Sequence, residues 1–236
     1  FTFQNIQVIN AIANGNTDIL ILEDATSQLT GFQTVSDAIL SSPYQSSILF
    51  FPILFALILS TEYKFGQESL TKLLTPKWQT VLTGQICSGI IVSSTLTVVL
   101  SLINSGMLYA MLDETLQNYL NIGLILEVTL RIIIFSITLT LLSMFLVQIT
   151  RKPIPSVIII VSILVITLSG ILRVVSPTLE NLFPLTGAKS FAFGRVENNN
   201  PSELYGLLLL LSQASIVTIM MYIKAWYENK KEKKHE

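Results

Sequence analysis

The chain alternates between long apolar runs and short polar segments. Five runs are nearly free of charged side chains, and each is near or above the length of about 20 residues that a helix needs to cross a hydrocarbon core of about 30 Å. They are residues 44–60, 81–105, 122–150, 154–172 and 204–226. Because these runs are continuous and show no alternation of polar and apolar positions, they favour helices over the strands of a membrane barrel. The pattern predicts an all-α fold, a polytopic membrane helical bundle with five transmembrane helices in this chain.

The composition supports a membrane protein. Of the 236 residues, 51% are hydrophobic and 12% are charged, with a mean hydropathy of +0.64, whereas soluble domains carry about 25% charged residues. The formal net charge is -1, so we expect no nucleic-acid partner. Cys87 is the only cysteine, and one thiol cannot build a disulfide framework or a cysteine metal cluster within the chain.

The distribution of basic residues predicts the orientation of the chain in the membrane. Lysine and arginine accumulate in the loop 61–80, in the turn after residue 150 and in the tail 227–236, three segments that lie on the same side if the five runs cross the membrane. The positive-inside rule places that side in the cytoplasm. The residues that set this orientation are Lys64, Lys72, Lys77, Arg151, Lys152, Lys224, Lys230, Lys231, Lys233 and Lys234.

This orientation has a consequence for the first 43 residues. Five crossings with a cytoplasmic tail place residue 1 outside, and residues 1–43 contain no apolar run long enough to cross the membrane. We expect an upstream helix, which would make six spans in the complete protein, with residues 1–43 as an extracellular loop after the missing first span. A cleaved signal sequence is the alternative.

The loop between the first two runs carries a short motif. It begins with an acidic, an aromatic and a basic residue, continues through a glycine, and ends with a leucine-rich stretch and a proline. The chain resembles the permease subunit of ABC-2 type ABC transporters, in which this loop forms the coupling region that docks on a separate ATPase. The resemblance assigns ATPase coupling to Glu62, Tyr63, Lys64, Phe65, Gly66, Leu70, Leu73, Leu74, Pro76 and Lys77.

The leucines of this loop offer a physical reason for docking. If residues 69–75 form a helix, Leu70, Leu73 and Leu74 lie on one stripe because their spacings are three and four. An exposed apolar ridge on a cytoplasmic loop fits a groove in a partner protein. The same ridge would also suit packing against the chain's own helix ends or burial in the membrane interface.

A second resemblance lies between the last two runs. In ABC-2 permeases this extracellular loop holds short re-entrant helices near a proline, and here the segment 182–187 contains Phe183, Pro184 and Gly187. By this resemblance residues 44–226 form a transmembrane permease domain, located in a bacterial plasma (inner) membrane.

Two charged residues fall within an apolar run. Glu127 and Arg131 are four positions apart in the run 122–150, so they stack on one helical face in the order that suits an ion pair. Ionisable groups in a membrane are functional candidates. They form either a structural pair near the outer interface or part of a substrate path. The same run and the run before it carry stripes of small polar residues that suit helix packing, Ser94, Ser101 and Ser105 in one and Thr129, Ser136, Thr140 and Ser143 in the other.

Motifs for chemistry on the chain itself are few. The sequence has no G-x-x-x-x-G-K-[ST] phosphate loop, so ATP and its Mg would be bound by a partner ATPase, and we expect no cofactor or metal on this chain. His235 is the sole histidine and lies in the tail. The chain is therefore expected to be a non-catalytic subunit.

These observations predict a permease subunit of an ATP-driven exporter that moves a peptide, drug or lipid-like substrate, within the resemblance to the bacteriocin and drug export or immunity subgroup. It would work with a second permease copy or a related permease, each docked on a cytoplasmic ABC ATPase. The alternatives are a secondary transporter or channel of another six-span family that works without an ATPase, and a membrane-embedded enzyme or scaffold.

Overall fold

The computed structural model of the chain describes residues 31–64, 71, 78–112, 114–194 and 201–232. Over these ranges the chain is helical and contains no strand, which confirms the predicted all-α class. The helices are α1 (Gly31–Leu49), α2 (Phe51–Lys64), α3 (Trp78–Met111), α4 (Glu114–Gln117), α5 (Ile122–Thr150), α6 (Pro153–Leu168), α7 (Ile171–Val175), α8 (Pro177–Leu182), α9 (Pro184–Gly187), α10 (Lys189–Phe193) and α11 (Glu203–Glu232).

Four helical stretches of the described chain are long and apolar enough to cross a membrane: Val35–Thr61, Gln79–Met111, Ile122–Thr150 and Glu203–Lys230. The predicted run 44–60 lies inside the first of them, which starts in the region expected to be an extracellular loop. The run 154–172 is divided between α6 and α7, because Gly170 adopts a left-handed φ of 72° between them. Helix α6 has 16 residues and is apolar but shorter than the four spans.

The outer faces of these helices are apolar. On α3 the side chains of Ile91 and Leu102 are 64% and 60% exposed, and on α6 Ile154 is 71% exposed. Large apolar side chains exposed in such numbers are not stable in water. Such exposed apolar faces are those expected of a membrane protein.

Helix α5 is the centre of the bundle. It packs against α1, α2, α3, α6, α10 and α11, and Ile132, Phe135 and Val147 along its length are fully buried. The Tyr44 ring on α1 packs against Phe135 with 5.0 Å between ring centroids. The two charged residues predicted in this run therefore lie on the helix that touches most of the others.

Buried hydroxyl groups join α1, α3 and α5. Ser47 Oγ and Ser136 Oγ are 2.7 Å apart, and Thr97 Oγ1 donates to Ser136 Oγ at 3.0 Å. Small polar side chains allow helices in lipid to approach closely and bond across the interface. Of the predicted stripes, Ser136 makes these bonds between helices, and Ser143 donates within its own helix. The other buried members, Ser101, Ser105, Thr129 and Thr140, have no hydrogen-bond partner among the described residues.

The buried side chain of Asn104 compensates for a proline inside α1. Pro43 has no N–H and cannot donate to the carbonyl of Ile39, four residues earlier. Asn104 on α3, which is 2% exposed, donates its Nδ2 to the Ile39 oxygen at 2.8 Å and to the Ala38 oxygen at 2.9 Å. The side chain of one helix thus replaces the backbone bond that the proline removes from another.

Replacing Asn104 with leucine should therefore lower stability by about 1–2 kcal/mol, the usual cost of a buried hydrogen-bond group left without a partner. The measurement is the apparent melting temperature of the protein in mild detergent. In the Pro43→Ala background residue 43 regains an N–H for the Ile39 carbonyl, so the cost of Asn104→Leu should shrink. Equal costs in both backgrounds would contradict this role of Asn104.

Candidate functional site

The chain order defines two ends of the bundle. Helix α2 stops and α3 starts at one end, which we call the loop end, and the turn between α5 and α6 and the last turns of α11 lie there too. The first turns of α5 and α11 lie at the opposite end. Ion pairs between α5 or its C-cap and α11 support this at both ends, Arg151 with Glu228 at the loop end and Arg131 with Glu203 at the opposite end.

The turn between α5 and α6 presents Arg151 at the loop end. Arg151 caps α5 in a left-handed conformation with φ of 52°, and its N–H donates to the Val147 oxygen. Lys152 is extended because the next residue, Pro153, disfavours a helical conformation before it. Pro153 then begins α6, where its missing N–H needs no partner. This tight turn fixes the direction in which Arg151 leaves the bundle.

Four residues form what we call the loop-end cluster: Tyr63, Arg151, Lys224 and Glu228. Arg151 Nη2 lies 2.5 Å from Glu228 Oε1, and its guanidinium carbon lies 6.0 Å from the centre of the Tyr63 ring. Lys224 Nζ is 3.8 Å from the same Glu228 oxygen and donates to the backbone oxygen of Gln148. The cluster therefore connects the last turn of α2 with the α5–α6 turn and with α11.

Only part of the predicted coupling region falls within the described residues. Tyr63 belongs to the loop-end cluster, and Glu62 and Lys64 lie in the last turn of α2. Seven predicted coupling residues lie outside the described residues: Phe65, Gly66, Leu70, Leu73, Leu74, Pro76 and Lys77.

Sequence reasoning used the basic members of the cluster only to orient the chain, and it did not single out Glu228. The spacing of Lys224 and Glu228, four positions apart on a helix, was the available signal for that pair. No spacing in the sequence relates either residue to Tyr63, because that contact depends on how three helices pack.

The opposite end carries an ion-pair triad, Glu127, Arg131 and Glu203. Arg131 Nη2 is 2.9 Å from Glu127 Oε1, and Arg131 Nη1 is 2.9 Å from Glu203 Oε2. Arg131 Nη1 also donates to the backbone oxygen of Phe191 at 2.9 Å. The pair predicted within α5 is present, and Glu203 joins it from α11. The carboxylates are 60% and 38% exposed, so the triad lies at the rim of the bundle rather than in its core.

The third feature is a cavity of about 390 Å³ between the helices. The predicted residues Phe183 and Pro184 line it, while Gly187 is buried beside them. The walls come from α2, α5, α6, α8, α9 and α11, with Pro52, Leu142, Ile163 and Ile216 among the lining residues. Its lining is almost wholly apolar, since Ser143 and Gln213 are the only polar side chains that the described part of the chain contributes to it.

Three hydrogen bonds hold the segment 181–185 against the bundle. Gln213 Nε2 donates to the Leu182 oxygen at 2.6 Å, Tyr205 donates to the Asn181 oxygen at 3.2 Å, and Tyr44 donates to the Leu185 oxygen at 3.3 Å. These donors satisfy backbone groups that would otherwise lie unpaired in an apolar region. The segment therefore forms a fixed wall of the cavity.

The described residues offer no site for metal chemistry, because no group of three or more His, Cys, Asp or Glu side chains lies close enough to hold an ion. The three features are thus a polar cluster at one end, an ion-pair triad at the other and an apolar cavity between them.

Comparisons of this chain with models of known protein families, with curated proteins and with solved structures give no match. The functional interpretation therefore rests on the sequence motif and on the three features described above.

Proposed function

We propose that the chain is the membrane permease subunit of an ATP-driven ABC-2 type exporter, working with a separate cytoplasmic ATPase. The observation that carries the proposal is the position of the motif. The segment 62–77 starts in the last turn of α2, where Tyr63 contacts Arg151. A movement of this loop would therefore displace Tyr63, which is connected through Arg151 to α6 and α11.

The loop-end cluster supplies a route for that movement. Arg151 belongs to the turn that starts α6, and its partner Glu228 belongs to α11. Helices α2, α6 and α11 all line the central cavity. Closure of the ATPases on ATP would thus shift three cavity walls together, and this is how binding energy at one site is coupled to another.

The proposal extends to the finer architecture. Helices α6 and α7 together act as the fifth span of this chain, in a protein of six spans, and α8, α9 and α10 act as re-entrant helices of the last extracellular loop. The loop end faces the cytoplasm of a bacterial cell, and a second permease copy or a related permease completes the transporter. The bonds that pin the segment 181–185 between Tyr44, Tyr205 and Gln213 support the re-entrant assignment.

The ion-pair triad gives little support to a secondary transporter. Such a protein needs charged groups near the middle of the membrane that bind and release a coupling ion. Glu127 and Arg131 instead lie at the rim of the opposite end, and Arg131 is shared between two carboxylates and a backbone carbonyl. This arrangement suits a structural tie between α5, α10 and α11.

The first experiment is a pull-down of the full-length protein, tagged at its tail, from membranes solubilised in mild detergent. We expect a subunit with a phosphate-binding loop to co-purify, and we expect replacement of both Leu73 and Leu74 with aspartate to abolish its recovery. Replacement of Leu102 and Ile103, on the lipid-facing side of α3, with alanine is the control and should leave recovery unchanged. A chain that purifies alone and transports solute into liposomes without ATP would contradict the proposal.

The loop-end cluster leads to a separate prediction. Arg151→Gln removes the contacts with Tyr63 and Glu228 without touching the loop, so the ATPase should still co-purify while ATP-driven export falls roughly 5- to 10-fold, the size of a typical coupling effect. Export and ATP hydrolysis are measured in proteoliposomes. Lys152→Gln, which removes the same charge one position later, is the matched control and should keep full export. Equal export by both variants would refute the proposed route.

A further inference from the structure

The central cavity lies at the depth where lipid chains are found. On α5, Arg131 marks the opposite end and Arg151 the loop end, and at 1.5 Å per residue they are about 30 Å apart along the helix axis. That distance equals the thickness of a hydrocarbon core. The cavity-lining residues of this helix, from Leu139 to Leu146, begin near the midpoint between the two arginines.

Helix α11 gives the same depth independently. Glu203 and Lys224 bracket about 32 Å of this helix. The cavity-lining residues Gln213, Ile216 and Val217 lie near the middle of that stretch. Two helices with charged groups at both ends therefore place the cavity near the bilayer midplane, surrounded by hydrocarbon.

The apolar lining of the cavity favours an apolar ligand over water. Among the described residues, no ionisable side chain lines the cavity. Of its two polar side chains, Ser143 donates to the Leu139 oxygen of its own helix, and the Gln213 amide nitrogen donates to the Leu182 oxygen. The buried Gln213 Oε1 has no partner among the described residues, so it offers a water molecule a single acceptor. Water needs two to four polar partners to be held in such a place, so the walls do not suit it. An apolar chain gains dispersion contacts with every wall.

The size and the partial opening of the cavity fit one extended chain. Its volume of about 390 Å³ lies within the range of ligand sites, about 300–1,000 Å³. If a methylene group takes roughly the 30 Å³ that a water molecule occupies in the liquid, this volume holds on the order of a dozen of them. The exposed side of Ile216 on α11 and of Ile163 on α6 shows that the walls reach the surface of the bundle.

We propose that the cavity between α2, α5, α6, α9 and α11 binds one acyl chain of a membrane lipid. The bound chain fills the space that the fixed segment 181–185 leaves between α5, α6 and α11. Binding needs neither ATP nor the partner ATPase, so a test of it stands apart from the test of the exporter function.

The experiment uses the full-length protein in vesicles of phosphatidylcholine and phosphatidylglycerol that contain a phosphatidylcholine with a photoactivatable diazirine on one acyl chain. After illumination, mass spectrometry maps the labelled residues. We expect labelling to concentrate on the cavity residues of α5 between Leu139 and Leu146, severalfold above the lipid-facing residues Leu102 and Ile103 of α3, which report contact with bulk lipid. Uniform labelling would overturn the proposal.

Two matched pairs of variants separate the cavity from the outer surface. Ile216 lines the cavity, so Ile216→Trp should fill it. Ile219 lies on the same helix away from the cavity and has a similar exposure, 57% against 55% for Ile216, so Ile219→Trp is the control. Ile163→Trp and Ile159→Trp form the same comparison on α6, with exposures of 36% and 37%. The cavity-filling member of each pair should lose the α5 labelling severalfold, and its control should keep it.

Size-exclusion chromatography checks that all four variants remain folded. Loss of labelling in both members of each pair would contradict binding within the cavity. Cavity residues that resist labelling but form crosslinks between two copies of the chain would show that protein covers them, and this result would also overturn the proposal.

Discussion

Replacing Gly187 with alanine should lower stability by about 3 kcal/mol, at the upper end of overpacking costs, and the apparent melting temperature by about 6–12 °C. A Cβ atom at this position would lie 1.9 Å from the backbone oxygen of Asn181 and 2.6 Å from Leu209 Cδ2. The first clash involves backbone, which cannot rotate away. Helix α9 would have to separate from α8, and the wall of the cavity would move with it. The measurement is a thermal unfolding curve of the protein in detergent.

Gly84 is the matched control for this substitution. It lies inside α3, and a Cβ atom there would meet nothing within 4 Å. Alanine favours a helix over glycine by about 1 kcal/mol, so Gly84→Ala should leave stability unchanged or raise it slightly. Equal apparent melting temperatures for the Gly187→Ala and Gly84→Ala proteins would show that α8 and α9 are not packed as described.

The second large effect is expected at Arg131. Arg131→Met keeps the aliphatic bulk but leaves Glu127, Glu203 and the Phe191 carbonyl without their shared donor. Hydrogen bonds to charged groups contribute about 1.5–3 kcal/mol each when buried. The two carboxylates are partly hydrated, so we expect a total loss of about 2–3 kcal/mol, with α11 loosened at its first turn. Thermal unfolding measures the loss, and hydrogen exchange of the α11 amides locates it.

The two glutamates provide graded controls. The Glu127 side chain is 60% exposed, so Glu127→Gln should change stability by less than about 0.5 kcal/mol. Glu203 is 38% exposed and connects two helices, and its replacement by glutamine should have an intermediate effect. Because both partners act through one guanidinium, the effects of Arg131→Met and Glu203→Gln should not add.

Transport distinguishes the two interpretations of this triad. If Glu127 and Arg131 belong to a substrate path, Glu127→Gln should reduce flux although the protein remains stable. If they only connect helices, flux should stay at the level of the unmodified protein. We expect the second result, because the Arg131 partners come from α5, α10 and α11 at the rim of the bundle.

The five apolar runs show which properties of the helices a hydrophobic pattern predicts. All five runs lie in helical stretches, because backbone groups in hydrocarbon must be paired within the segment. The run 154–172 is however divided at Gly170, and four helical stretches of the described chain are long and apolar enough to cross a membrane. The lengths were less accurate. The first helix begins at Gly31, well before residue 44. Asn104 supplies a donor to the Ile39 carbonyl that Pro43 leaves without one, and such a contact between distant residues cannot be recognised from local sequence.

The candidate sites likewise contain contacts that local spacing predicts and contacts that it does not. The Glu127–Arg131 pair was predictable because residues four apart on a helix are neighbours wherever the helix lies. Glu203, Phe191 and the loop-end contact between Tyr63 and Arg151 join residues that are far apart in the chain, so no spacing indicated them.

The sequence by itself determined that the chain, over its described residues, is helical and apolar enough for a membrane protein, while the resemblance of one loop to ABC-2 permeases stays a prediction. These properties follow from local patterns, since the bilayer acts on each segment separately. Only the tertiary structure decided which charged residues pair between helices, and that a cavity lies between α2, α5, α6, α8, α9 and α11. Those features depend on packing among helices. The backbone oxygen of Asn181, which leaves no room for a side chain at Gly187, is one such contact between helices.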